Sequence, residues 1–144
     1  MTRIRSMVGA DVARVADLTT QLGYPSTDEQ IAARFAEVDA RPDQAVLVAT
    51  DESDTAIGWV QVGRIAALAE GDVAMIAGLV VGEGQRSAGV GAELLDAAEA
   101  WASEHGARTM SVRSRTERAR AHRFYEAHGY RQVKLSHVFT KPLG

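Results

Sequence analysis

Apolar and polar residues alternate along the chain in several distinct patterns, and each pattern predicts an element. Between Asp11 and Leu22 the apolar positions are Val12, Val15, Ala16 and Leu18, the spacing of one helix face, and Gly23 stands where such a helix would stop. After Pro25, the stretch Ser26-Thr27-Asp28-Glu29 offers an N-cap hydroxyl with Glu29 three positions on. That is a capping box ahead of Ile31, Phe35 and Val38, so a second helix is expected, broken at Arg41-Pro42-Asp43. Ala45 to Thr50 is a continuous apolar run, and Ile57 to Gly63 alternates around Trp59 and Val60. The polar residues 51–55 between them predict a hairpin. A looser stretch from Ala66 to Asp72 leads into Val73 to Val81, whose unbroken apolar character predicts a central strand covered on both faces. Gly78 inside that run predicts a bulge or the close approach of a ligand.

Further on, Val90, Leu94, Ala98, Trp101 and Ala102 form one apolar stripe between Gly89 and His105, closed by Gly106, which predicts a third long helix with Trp101 in its core face. Thr109 to Arg113 reads as a short strand, Arg118 to His128 as a helix ended by Gly129, and Tyr130 to Phe139 as a last strand. Thr2 to Ser6 reads as a short first strand. The order is strand, two helices, three strands, helix, strand, helix, strand. On its own this indicates an α/β or α+β fold with a mixed sheet. No repeat, linker or low-complexity segment interrupts it, and at 144 residues and 46% hydrophobic the expectation is a single domain, 1–144, with a sizeable core.

Composition narrows the chemistry. There is no cysteine, which excludes a disulfide framework, thiolate metal ligation and a catalytic cysteine. The first residues lack an apolar signal core, and no run reaches the ~18 apolar residues of a membrane span, so a cytoplasmic protein without membrane partners is expected. A net charge of −3 gives no general attraction to nucleic acid. Locally, Arg113, Arg115, Arg118, Arg120 and Arg123 crowd one segment opposed only by Glu117. Such a run is either a solvated helix entry or a set of cations for a ligand's phosphates.

The stretch Leu79 to Ala92, LVVGEGQRSAGVGA, carries an apolar strand through a glycine-rich turn into a helix. Glycine lets the backbone come close to a ligand, and the opening amides of a helix have no intrahelical acceptor, so the turn suits phosphate. Arg86 adds a cation, and the consecutive N–H groups of Ser87 to Ala92 suit a pyrophosphate better than a single carboxylate. A P-loop is excluded, because Val90 and Gly91 follow Gly84 to Gly89 where Lys and Ser/Thr are needed. A G-x-G-x-x-G dinucleotide fingerprint starting at Gly82 ends on Ser87, and one starting at Gly89 ends on Leu94, so that is excluded too.

What remains, Gln85-Arg86-Ser87-Ala88-Gly89-Val90-Gly91, resembles the Q/R-x-x-G-x-G/A loop of the GNAT N-acetyltransferase superfamily. A second stretch, Ala121-His122-Arg123-Phe124-Tyr125-Glu126-Ala127-His128-Gly129-Tyr130, is similar to that family's A-x-x-F-Y-E-x-x-G-F/Y signature. The resemblance extends over nearly the whole chain. It implies an α/β (α+β) GNAT fold: a mixed, mostly antiparallel central sheet with a splayed pair of strands, flanked by about four helices. It implies acetyl-CoA as co-substrate and no metal. Gln85, Arg86, Ser87, Ala88, Gly89, Val90, Gly91 and Ala92 would hold the pyrophosphate, and Leu79, Val80 and Val81 the pantetheine arm. Phe124 would pack in the core and Tyr125 would point at the CoA sulfur. Transfer of acetyl to an amine needs a free amine, a stabilised oxyanion and a proton for the leaving thiolate. A phenol with a pKa of ~10 stays protonated at neutral pH, so Tyr125 is the expected acid, with the Leu79 N–H as oxyanion donor.

The chain departs from the family pattern in two places. Arg118 stands where relatives carry Asn and joins the cofactor-binding candidates as a cation. Met75 stands near where relatives carry an acid. Asp72, Glu83, His122 and His128 are substitute bases, although an amine that is already neutral needs none. The acceptor, a primary amine of a small molecule or peptide, is expected against Leu22 to Ala40, the hairpin near Trp59 and the tail after Tyr130. Tyr24, Trp59 and His137 are candidate lining residues. The alternating tail can also support a homodimer through an exposed edge. The alternative to an enzyme is a module of the same fold that binds acyl-CoA as a sensor.

Overall fold

The computed structural model describes residues 2–85, 89–114 and 117–144. They fall into two compact units, Met1–Arg113 and Ser114–Gly144.

The first unit is built on a five-stranded sheet whose spatial order is its sequence order, β1 (Arg3–Ser6), β2 (Gln44–Thr50), β3 (Ala56–Ala67), β4 (Gly71–Val81) and β5 (Thr109–Val112). β1 to β4 are antiparallel neighbours, and β5 pairs parallel with β4. Three helices accompany them: α1 (Val12–Leu22), α2 (Asp28–Asp39) and α3 (Val90–Glu104). β3 and β4 run further than the alternation predicted. The stretch 66–72 is not loose but the tip of a long hairpin in which Ala67 still pairs with Gly71.

Local chemistry explains the element ends. α1 stops at Gly23, whose φ of 113° only glycine adopts cheaply. α2 begins with a capping box, but its members are Thr27 and Gln30 rather than Ser26 and Glu29. The Gln30 N–H donates to the Thr27 hydroxyl at 3.1 Å and the Thr27 N–H to Gln30 Oε1 at 3.0 Å. Ser26 instead turns its hydroxyl onto the Tyr24 carbonyl at 2.8 Å, so the cap moves one residue on.

The core has two sides. One cluster joins Met7, Val15, Ala16, Ile31, Val48 and Ala56, with Phe35 and Trp59 packed half-buried against it, so α1 and α2 cover this face. On the other face, Leu94 and Leu95 of α3 are fully buried, and Leu94 lies over Gly58. An ionic knot fixes the start of the chain. Arg5 donates to both oxygens of Asp11, at 2.8 and 2.9 Å, and to Asp54 in the β2–β3 turn at 3.0 Å.

The second unit contains α4 (Ala119–Ala127), followed by a tail. The expected last strand, Tyr130 to Phe139, does not form. Residues 131–144 are all exposed and carry no strand, because an alternating segment becomes a strand only when another edge accepts its hydrogen bonds.

Candidate active site

The element that organises the site is β4. It pairs with β3 along its whole length, but the pairing shifts by one residue between Gln61 and Val62, so Ala77 is the extra residue of a bulge. The bulge lies one position before Gly78, where the sequence pointed. On the opposite side the β5 ladder covers only Val73 to Ile76 and ends at Val112. Ala77 to Val80 therefore run on along an edge with no ladder partner among the described residues. Bulge and parting of the strands coincide, as expected when an extra residue bends and twists a strand away from its neighbour. Of the candidates on this segment, Leu79 and Val81 are half-buried and Val80 is buried.

After Gly82, whose N–H donates to the Ile57 carbonyl at 2.8 Å, a single 3₁₀ turn (Glu83–Gln85) carries the chain toward α3. Arg86, Ser87 and Ala88 lie outside the described residues, as does Arg115 of the arginine run. Gly89 caps α3 from the left-handed region with a φ of 79° and without a side-chain hydrogen bond. The first intrahelical bond is Glu93 N–H to the Gly89 carbonyl at 3.1 Å. Val90, Gly91 and Ala92 thus supply the opening turn, whose amides have no acceptor within the helix. β4 and α3 are joined by a short connection, which brings an open strand edge and a helix N-terminus together in sequence. Beside Gln85 a cleft of about 350 Å³ opens between Thr2, Asp51, Glu52, Ser53 and Ile57, but its carboxylates make it a poor place for phosphate.

In the second unit, Tyr125 sits on α4 between two aromatic partners. Its ring meets Phe124 edge-on at 5.2 Å and Tyr130 at 5.7 Å. The turn after the helix holds this arrangement, with the Tyr130 N–H donating to the Tyr125 carbonyl at 3.0 Å. Burial pushes the Tyr125 phenol above its usual pKa, and the positive Arg118 pulls it partly back. The phenol is therefore protonated throughout the neutral range. Arg118 is the N-cap residue of α4. Phe124 is half-buried, leaning on Tyr125 and on the His128 ring at 4.6 Å, rather than a fully buried core residue.

The substitute bases are divided between the two units. Asp72 is bound to Arg64 at 2.6 Å at the far end of β4. Glu83 lies in the 3₁₀ turn and is exposed, and the His128 ring nitrogen is held against the Phe124 carbonyl at 2.8 Å. His122 is on the first half of α4. Met75, half-buried on β4, leaves that position without a carboxylate. Among the acceptor candidates, Tyr24 is 53% exposed, and His137 stands in the tail, 6.4 Å from the Phe139 ring. Trp101 is half-buried and stacked on His105 at 4.0 Å near the end of α3, away from the loop.

Trp59 is better placed. Its indole lies so close over Gly78 that a methyl there would meet the ring at 2.7 Å. Two residues along the same face, Gln61 donates to Gln44 across the strands at 3.2 Å. This amide pair is the feature the sequence reading passed over. Its signal was a lone glutamine inside the valine alternation of β3.

An open mixed sheet, a bulged central strand that parts from β5, and a glycine-led helix after it define an α/β acyltransferase architecture. The model of the acetyltransferase (GNAT) family matches residues 13–130, and the chain belongs to that family. Sequence comparison with curated proteins finds no significant match. Solved structures share the whole fold. The aminoglycoside N-acetyltransferase AAC(6')-Iy, in complex with a bisubstrate analogue CoA-S-monomethyl-acetylneamine, superimposes with a TM-score of 0.87 at 21% identity over 99% of each chain. The aminoglycoside 6'-N-acetyltransferase AAC(6')-Ih from Acinetobacter baumannii gives 0.86 at 17% identity over 100% of each chain. A transcriptional regulator from Bacillus halodurans C-125 gives 0.85 at 21% identity, over 96% of this chain and 100% of that one. At these identities the likeness is one of fold. Among the described residues no helix is long and apolar enough to cross a membrane, and no group of acidic and histidine side chains is arranged to hold a metal ion.

Proposed function

We propose that the protein is an acetyl-CoA-dependent N-acetyltransferase that acetylates a primary amine of a small molecule or peptide by direct attack in a ternary complex. The observation that carries this reading is β4: bulged at Ala77, without a β5 ladder partner from Ala77 to Val80 among the described residues, and continuing toward a helix opened by Gly89. An extended pantetheine arm with amide groups fits an unfilled strand edge, and a pyrophosphate fits the helix entry. In this reading the edge around Leu79 to Val81 holds the arm. Gln85 and the loop through Ala92 hold the pyrophosphate, and Arg118 offers a further cation. The family match across both compact units supports treating 1–144 as one functional domain.

In the reaction, the amine nitrogen attacks the thioester carbonyl carbon and a backbone N–H of β4, that of Leu79, stabilises the oxyanion. The C–S bond then breaks and the thiolate takes the Tyr125 proton. The nitrogen gives its own proton to water, since no carboxylate replaces Met75. The amine therefore enters neutral. The similarity to aminoglycoside N-acetyltransferases favours a small polyhydroxylated amine as acceptor.

The test is free-thiol release from acetyl-CoA across polyamines, amino sugars, aminoglycosides, amino acids and peptide N-termini. Acceptor-dependent release is expected, and Tyr125→Phe should lower kcat by about 10²- to 10⁴-fold while acetyl-CoA affinity changes little. Unchanged turnover in the variant would remove Tyr125 as the acid. The missing carboxylate at Met75 and the arginine at 118 favour one second reading, a sensor that binds acyl-CoA without transferring it. Tight acetyl-CoA binding with no release on any acceptor would select that reading.

A further inference from the structure

Trp59 buries its indole Nε1 without a hydrogen-bond partner among the described residues. That needs a reason, because an unpaired buried donor is unfavourable and a phenylalanine could cover Gly78 without one. The location supplies it. The ring leans from β3 across β4 onto Gly78, inside the segment that has lost its β5 partner. Its register partner is Val80. Along the same face the polar groups are the Gln61–Gln44 amides and, across from Val48 on β1, Arg5, whose guanidinium is already taken by Asp11 and Asp54. Beside the strand opening this face thus offers paired amides, a guanidinium whose charge is already matched, and one donor left over.

We infer that Trp59 sets acceptor specificity: its indole N–H takes a hydroxyl or ether oxygen of the amine acceptor, selecting oxygen-bearing amines over polycationic or purely hydrocarbon ones. The inference rests on the acetyltransferase reading and deepens it. An indole N–H is donor-only, so it rewards an acceptor oxygen and offers nothing to a second ammonium group. A site built around such a donor discriminates strongly against an analogue lacking the oxygen, because the donor then stays unpaired. Nε1 is sealed from solvent, so the oxygen reaches it only when neighbouring side chains of the same cluster turn aside.

Trp59 and Trp101 are the two tryptophans of the chain, so Trp101→Phe leaves Trp59 as the sole indole reporter. In that variant, with CoA bound, glucosamine, cyclohexylamine and spermidine are titrated while Trp59 emission is followed. Glucosamine should shift the emission saturably and bind at least about tenfold more tightly than the other two. In the transfer assay, Trp59→Phe should raise KM for glucosamine about tenfold and leave kcat and the acetyl-CoA KM within about twofold. Equal or tighter binding of cyclohexylamine or spermidine, an emission unmoved by saturating glucosamine, or an unchanged glucosamine KM in the variant overturns the inference. An emission shift with no thiol release separates the two claims, since the acceptor site then stands while the acetyltransferase reading fails.

Discussion

Tyr125 and Asp11 are two ionisable residues moved in opposite directions by their surroundings. For Tyr125 the neutral form is favoured, and under the proposed mechanism the kcat profile should show no alkaline fall from this group below about pH 10. For Asp11, burial alone would push the carboxyl up. The hydrogen bonds from Arg5 and from the Val8 N–H outweigh it and hold the carboxyl below its usual value. A depressed carboxyl contributes stability that is complete above about pH 4 and is lost as pH falls through its folded-state value. Arg5→Leu removes the partner and strands a carboxylate whose side chain is only 5% exposed. We expect a loss of about 3–5 kcal/mol, seen as a lower Tm at pH 7, and an acid transition that begins at a higher pH than in the parent. An unchanged Tm would show that the knot is not structural. The second carboxylate on Arg5, Asp54, is largely exposed and should matter little.

At the scale of elements, two glycines make separable predictions. Among the described residues nothing stands within 4 Å of a methyl at Gly89, but its φ is 79°, so Gly89→Val strains the backbone at the entry to α3. The variant should fold, lose CoA affinity by about tenfold or more in a direct titration, and keep the acceptor KM. Full CoA affinity would remove the helix entry from the binding site. Gly58 is the converse. Its φ is ordinary, yet a methyl would meet the Val80 carbonyl at 2.9 Å and Leu94 at 3.1 Å. Gly58→Ala must therefore push β3 off β4 or move α3, and about 1–3 kcal/mol of destabilisation is expected in denaturant unfolding. A neutral result would mean that α3 shifts freely over the sheet.

At the scale of the molecule, the helix stripes and apolar runs gave the sheet, the four helices and their order, because burial periodicity is written locally. Elements that depend on a partner were harder to read. The stretch from Tyr130 to Phe139 looks like a strand, yet pairing is a property of two segments, and here Val133, Leu135, Val138 and Phe139 stand exposed. The α2 cap went to Thr27 rather than Ser26 because two adjacent hydroxyls compete and the preceding turn decides. The strand-to-helix loop and Tyr125 were legible as motifs. The Gln44–Gln61 pair was not, since it joins residues 17 positions apart through a register that no single strand reveals.

The sheet order follows the sequence, so each strand finds its neighbour already made when it leaves the ribosome. Nothing in the framework has to wait for a late insertion between earlier strands, which keeps unpaired edges short-lived during synthesis. Tyr125 is delivered after β5. A nascent chain can therefore assemble its strand opening before α4, and with it the proposed proton donor Tyr125, has been made.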